Sequence, residues 1–164
     1  MSARDLPLLL VRHAVAEDSH VLGDEARALT AEGRAAFRHH ARKLARLTPL
    51  RGIITSPLVR AVQTAELLAE AFGTSGVEVH PALLPQRGAH KRIIDLARER
   101  GPGWALVGHN PSLERAAQRA LEHDLPDTLR KGAALALHPL KNGGFTLAWW
   151  ATPGKPVKRP GDVR

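Results

Sequence analysis

Five polar side chains of this chain stand at or just beyond the ends of its apolar runs. Arg12 and His13 close the run Leu6–Val11. Ser56 follows Arg51–Thr55, with Arg60 one helical turn further on, and His109 follows Trp104–Gly108. An imidazole is largely neutral near pH 7, and its free nitrogen is a competent nucleophile. A guanidinium stays charged, and its fork of N–H groups matches phosphate oxygens. A second, protonated histidine would add positive charge and a hydrogen bond as a phosphoryl group moves. These residue types therefore suit transfer of a phosphoryl group onto a histidine. The chain has no cysteine, which excludes a cysteine nucleophile, disulfides and thiolate metal sites.

The chemistry works only if the elements bring these residues together. Leu6–Val11 reads as a buried parallel strand, followed by a polar loop from Arg12 to about Leu29. Thr30 is a good N-cap for a helix over Ala31–Leu47, although Gly33 weakens its first turn. Arg51–Thr55 is a second strand. Ser56 reads as the cap of the next helix, with Pro57 at its first position and Gly73 as its stop. A short strand at Val77–His80, a helix over Ala89–Arg100, a strand at Trp104–Gly108 and a helix from Ser112 to about Glu122 follow. Ala133–His138 and Phe145–Trp150 flank the turn Lys141-Asn142-Gly143-Gly144, a hairpin signal. Strands alternating with helices predict an α/β fold with a mostly parallel central sheet and a C-terminal hairpin. In such sheets ligands bind beyond the carboxyl ends of the strands, so Arg12, His13, Arg60 and His109 are expected on one edge.

The local motifs extend this expectation. Leu10-Val11-Arg12-His13-Ala14 resembles the strand-end Arg-His motif of the histidine phosphatase superfamily, which includes cofactor-dependent phosphoglycerate mutase. Leu29-Thr30-Ala31-Glu32-Gly33-Arg34 is similar to the Leu-Thr-x-x-Gly stretch that opens the family's first helix. Ser56 to Ala65 is similar to its Ser-x-x-x-Arg-Ala-x-Gln-Thr-Ala segment, and Val107-Gly108-His109-Asn110-Pro111 resembles its second-histidine motif. The matches run in family order from residue 6 to about 113. The resemblance implies a three-layer α/β/α sandwich of the phosphoglycerate mutase type. It also implies that His13 becomes phosphorylated, while Arg12, Arg60 and His109 hold the phosphoryl oxygens, without a metal or other cofactor.

One part of the family pattern is missing. In the acid phosphatase branch an aspartate follows the second histidine, and here Asn110 stands there. In the mutase-like branch a glutamate lies in the loop after the third strand, and the stretch Leu83–Lys91 has no carboxylate. This pattern resembles the small phosphohistidine phosphatases of the SixA type. An alkoxide is a poor leaving group and needs a proton donor, whereas a phosphohistidine imidazole can be protonated near neutral pH. Glu17, Asp18 and His90 are the residues that could reach the pocket as a general acid.

The chain has 164 residues and a formal net charge of +8. Its length fits one domain, drawn here as residues 1–151 with a basic tail over 152–164, whose Pro, Gly and Lys content predicts a flexible segment that does not pack. The positive balance favours anionic partners, namely phosphorylated substrates, nucleic acid or acidic membrane surfaces, without choosing among them; a phosphohistidine protein, a sugar phosphate and a nucleotide-derived phosphate are all open as the substrate. Arg34, Arg38, Arg42, Lys43 and Arg46 read as the solvated face of one helix. Zinc-finger, helix-turn-helix and RNA-binding aromatic patterns are absent from the sequence, which argues against nucleic acid as the partner. The run Leu6–Val11 is too short for a membrane span or a signal core, so the expected location is the cytoplasm. Nothing in the sequence signals an oligomeric state.

Overall fold

The computed structural model describes residues 2–162. Its centre is a six-stranded sheet built from β1 (Leu8–Arg12), β2 (Gly52–Thr55), β3 (Glu78–Val79), β4 (Trp104–Gly108), β5 (Ala134–Pro139) and β6 (Phe145–Ala151), in the order β3-β2-β4-β1-β5-β6. The pairs β3–β2, β2–β4 and β4–β1 are parallel, while β1–β5 and the hairpin β5–β6 are antiparallel. The helices are α1 (Ala31–Leu47), α2 (Val59–Phe72), α3 (Ala89–Arg100) and α4 (Ser112–Leu121).

Strand alternation divides the core in two. Leu8, Leu10, Ile54, Leu106, Leu135 and Leu137 join the buried residues of α3 and α4 on one face. Leu9, Val11, Ile53, Ala105, Val107 and Ala136 join those of α1 and α2 on the other. The central strands β1, β2 and β4 are apolar on both sides because helices cover both faces, as a central parallel sheet requires. The result is the expected three-layer sandwich. No helix of the described residues is long and apolar enough to cross a membrane.

The start of α1 bears directly on the site. Thr30 caps it as read, accepting the Gly33 N–H at 2.9 Å. Gly33 is more than a weak helix former. A Cβ there would lie 2.2 Å from the Val15 carbonyl oxygen, so only glycine lets the helix lie against the segment that follows His13.

Two expectations are corrected. Ser56 and Pro57 precede α2, which begins at Val59 with Leu58 as its N-cap residue. The Ser56 hydroxyl is instead buried against a histidine, as described below. The segment after Ala151 packs through its described part. Trp150 and Lys158 exchange backbone hydrogen bonds at 2.9 and 3.0 Å, Val157 lies against the α1–α2 side of the core, and Lys43 Nζ donates to the Lys155 carbonyl at 2.6 Å. β6 is the last strand, and its free edge offers unpaired backbone groups that this segment satisfies. Composition alone carries no trace of that demand. Val163 and Arg164 lie outside the described residues.

Candidate active site

β1 and β4 are adjacent and parallel, with Arg12 opposite Gly108. The residues following them therefore emerge side by side. The His13 N–H donates to the Gly108 carbonyl at 3.0 Å, and the rings of His13 and His109 stand 5.3 Å apart between centroids. Both rings are buried, with 7% and 3% of their surface exposed.

His13 Nδ1 lies 2.7 Å from the Ala14 carbonyl oxygen. A carbonyl only accepts, so this contact puts the proton on Nδ1 and leaves the lone pair on Nε2. Burial pushes the pKa of His13 down to about 4. The Ala14 carbonyl opposes the shift, and Arg60, Arg12 and Lys131 add to it. The imidazole is thus neutral and nucleophilic across the physiological range.

His109 Nε2 is 2.8 Å from the Ser56 hydroxyl, which also accepts the Leu58 N–H at 3.3 Å. The hydroxyl has one proton to give and two lone pairs, and in the tautomer in which it donates to Nε2 the His109 proton lies on Nδ1. That Nδ1 is buried and has no partner. The expectation of a protonated second histidine is corrected here. Burial, then His13, Arg60 and Arg12, push its pKa down to about 3, with only Asp24 opposing them. In this environment the ring is neutral, and one ring nitrogen is left without a partner.

The two arginines are fixed from outside the pocket. Arg12 Nη1 donates to the Leu129 carbonyl at 3.1 Å. Asn110 Nδ2 donates to that same carbonyl at 3.0 Å and to Glu114 Oε1 at 3.0 Å, and Glu114 Oε1 also accepts the Leu129 N–H at 2.7 Å. Asn110 and Glu114 thus hold the segment that holds Arg12. Arg60 Nη1 and Nη2 bond Asp24 through its main-chain carbonyl, at 3.0 Å, and its carboxylate, at 3.2 Å. Arg12 Nε and Arg60 Nε are buried and unpaired.

Other motif residues build the frame. Thr64, one turn beyond Arg60 on α2, accepts the Ala14 N–H at 3.0 Å and donates to the Arg60 carbonyl at 2.8 Å. Gln63 accepts the Leu29 N–H at 2.7 Å. Gly132, with φ +79°, donates its N–H to the carbonyls of Arg12 and His13 at 3.1 and 2.9 Å. A positive φ at this position suits glycine, and the bond ties the chain before β5 to the backbone of Arg12 and His13.

Arg12, His13, Arg60 and His109 therefore meet. The three residues named as possible acids sit differently. The Glu17 carboxylate accepts the Ala28 N–H at 2.8 Å, closing the base of the β1–α1 loop. Asp18 is exposed in that loop, and His90 lies half-buried in the first turn of α3. Asp24, the carboxylate that touches a site arginine, escaped the sequence reading. It lies in an irregular loop where no periodicity points to it. Glu114 was legible in principle, since it stands four residues after Asn110 at the start of a helix.

Known proteins resemble this chain in sequence and in fold. The model of the histidine phosphatase superfamily (branch 1) matches residues 8–84. An uncharacterised protein of Picosynechococcus sp. is 36% identical over 118 residues, covering 69% of this chain and 72% of the relative. Among solved structures, the protein histidine phosphatase SixA complexed with tungstate superposes with a TM-score of 0.78 at 23% identity, covering 90% of this chain and 97% of its own. Phosphoserine phosphatase from Entamoeba histolytica, in complex with 3-phosphoglyceric acid, reaches 0.70 at 14% identity, with coverage of 91% and 98%. At such identities the structural likeness carries the fold.

Proposed function

This chain belongs to the histidine phosphatase superfamily, and we propose that it is a phosphatase working through a phosphohistidine intermediate on Nε2 of His13, with protein-borne phosphohistidine as its preferred substrate. One observation carries the reading. Arg12 Nε, Arg60 Nε and His109 Nδ1 are buried without partners beside a histidine whose Nε2 is free. Buried donors are normally satisfied, and a phosphoryl group next to His13 would satisfy all three.

In the first step the Nε2 lone pair forms a bond to phosphorus, and the bond from phosphorus to the leaving nitrogen breaks. The electron pair goes to the departing imidazole, whose other nitrogen already carries a proton near neutral pH. The guanidiniums of Arg12 and Arg60 and the N–H of His109 meet the charge on the equatorial oxygens. In the second step water attacks phosphorus, the bond to Nε2 breaks, and the water proton leaves with phosphate. The positive charge that stabilises both steps comes from arginines, so the scheme requires no metal ion. The absence of a carboxylate from the loop after β3 and from the place of Asn110 supports a substrate whose leaving group needs no strong acid.

The test is to incubate the purified protein with a phosphohistidine protein, quench it, and map the acid-labile phosphate. The expected site is His13, and His13→Ala abolishes labelling. Phosphate on another residue overturns the mechanism. Turnover of phosphoserine or a sugar phosphate faster than phosphohistidine overturns the substrate assignment and leaves the nucleophile standing.

A further inference from the structure

Asp24 opens a short 3-10 turn, Asp24–Ala26, in the loop between β1 and α1. It takes both terminal nitrogens of Arg60, one with its main-chain carbonyl and one with its carboxylate. The Arg60 side chain is only 7% exposed, while that of Asp24 is 63% exposed. The aspartate therefore lies on the solvent side of a buried guanidinium. Its second carboxylate oxygen accepts from Arg27 Nη1 at 2.8 Å, and Arg27 Nε donates to the Glu17 carbonyl. Glu17 N–H donates to the Ala28 carbonyl at 2.8 Å, and Ala16 pairs with Leu29. Asp24 is thus the end of a braced loop whose base grows from the strand that carries His13.

A guanidinium is planar and presents separate edges. Asp24 engages the end formed by Nη1 and Nη2. The edge that carries Nε is buried and unpaired. Resting on the reading of Arg60 as a phosphoryl ligand, we propose that Asp24 is a positioning residue, which clamps the terminal nitrogens of Arg60 so that the Nε edge is held for the phosphoryl group on His13. The geometry does not suit a proton donor. Arg27, and then Arg60, hold the Asp24 carboxyl below its usual range, so it stays ionised. The clamp gives the site a fixed cation without placing a carboxylate on the inner edge of Arg60.

The test uses the full-length protein with inorganic phosphate as a competitive probe, measured beside kcat and KM. The variants are Asp24→Ala, Asp24→Asn, Arg60→Ala and the Asp24→Ala/Arg60→Ala pair. Freeing a charge-assisted ligand from its orienting partner should weaken phosphate binding roughly tenfold in Asp24→Ala and lower kcat/KM to match. Asp24→Asn should recover most of the loss, because its amide oxygen still accepts from Nη2. In the Arg60→Ala background, Asp24→Ala should change phosphate binding by less than about twofold, since a partner that acts through Arg60 has nothing left to orient. Tighter phosphate binding in Asp24→Ala would make Asp24 a competitor and overturn the proposal. So would additive losses in the pair, or a lower Tm with unchanged phosphate affinity. If Arg60→Ala itself leaves phosphate binding unchanged, the reading of Arg60 fails and the clamp fails with it. If Arg60→Ala weakens binding and Asp24→Ala does not, only the clamp fails. Should Asp24→Ala not fold, Asp24→Asn and Asp24→Ser complete the cycle.

Discussion

Replacing His40 with leucine should shift the stability difference from the native chain in favour of the variant as pH falls from 7 to 5. His40 lies on the inner face of α1, 2% exposed, edge-on to Phe37, with Nε2 unpartnered. Burial pushes its pKa from 6.5 to about 4, helped by Lys43 and opposed by the Ala151 carbonyl. The unfolded chain therefore binds a proton below pH 6.5 that the folded chain refuses until about pH 4. Stability is present in full above the higher value and drains away as pH falls toward the lower one. Each pH unit inside that window costs about 1.4 kcal/mol, so a fall from pH 7 to pH 5 costs about 2 kcal/mol for this one residue. His13 and His109 shift in the same direction, to about 4 and about 3. The native chain should therefore lose stability through all three residues as pH falls over that interval. Leucine is of similar size, keeps the apolar contacts and cannot take the proton. Urea unfolding of both proteins at several pH values from 7.5 down to 5, at constant ionic strength, measures the gap directly. It should open by about 2 kcal/mol in favour of His40→Leu as pH falls. A gap that stays constant would refute the assignment of His40 as a buried neutral group.

Two further outcomes follow from the frame around the nucleophile. Thr64→Val keeps the side-chain shape but strands the buried Ala14 N–H, so it should cost about 1–3 kcal/mol in equilibrium unfolding; a cost below about 0.5 kcal/mol, the usual scatter of surface changes, would count against that bond. Gly33→Ala should destabilise the protein although alanine is the better helix former by about 1 kcal/mol, because its Cβ would meet the Val15 carbonyl oxygen at 2.2 Å. A raised Tm would show that the segment after His13 yields easily.

The regular elements were legible wherever a local signal and the packing agreed. α1 runs over Ala31–Leu47 as read, because the Thr30 cap and the buried stripe of Phe37, Ala41 and Leu44 point the same way. That Arg12, His13, Arg60 and His109 would come together was legible because strand ends in a parallel sheet share an edge. The start of α2 was misplaced because Ser-Pro is a good helix opening in isolation, whereas here the serine hydroxyl is held by His109, a residue 53 positions away. Asp24 was invisible for a related reason. Its role comes from a loop folding back onto α2, and no periodicity encodes that. The packing of the segment after Ala151 depends on the bare edge of β6, a demand set by sheet order and not by the segment's own composition.

The bond from the His13 amide to the Gly108 carbonyl has a consequence for how the protein can fail. It joins the backbone of His13 to the residue just before His109, across β1 and β4, the two strands at the middle of the sheet. Partial opening of the β1–α1 loop can expose the pocket without separating the two rings. Drawing them apart requires unzipping the centre of the sheet, which is the global transition itself. His13 and His109 should therefore open only with the central strands, and denaturant should extinguish any labelling of His13 and strand structure in a single step.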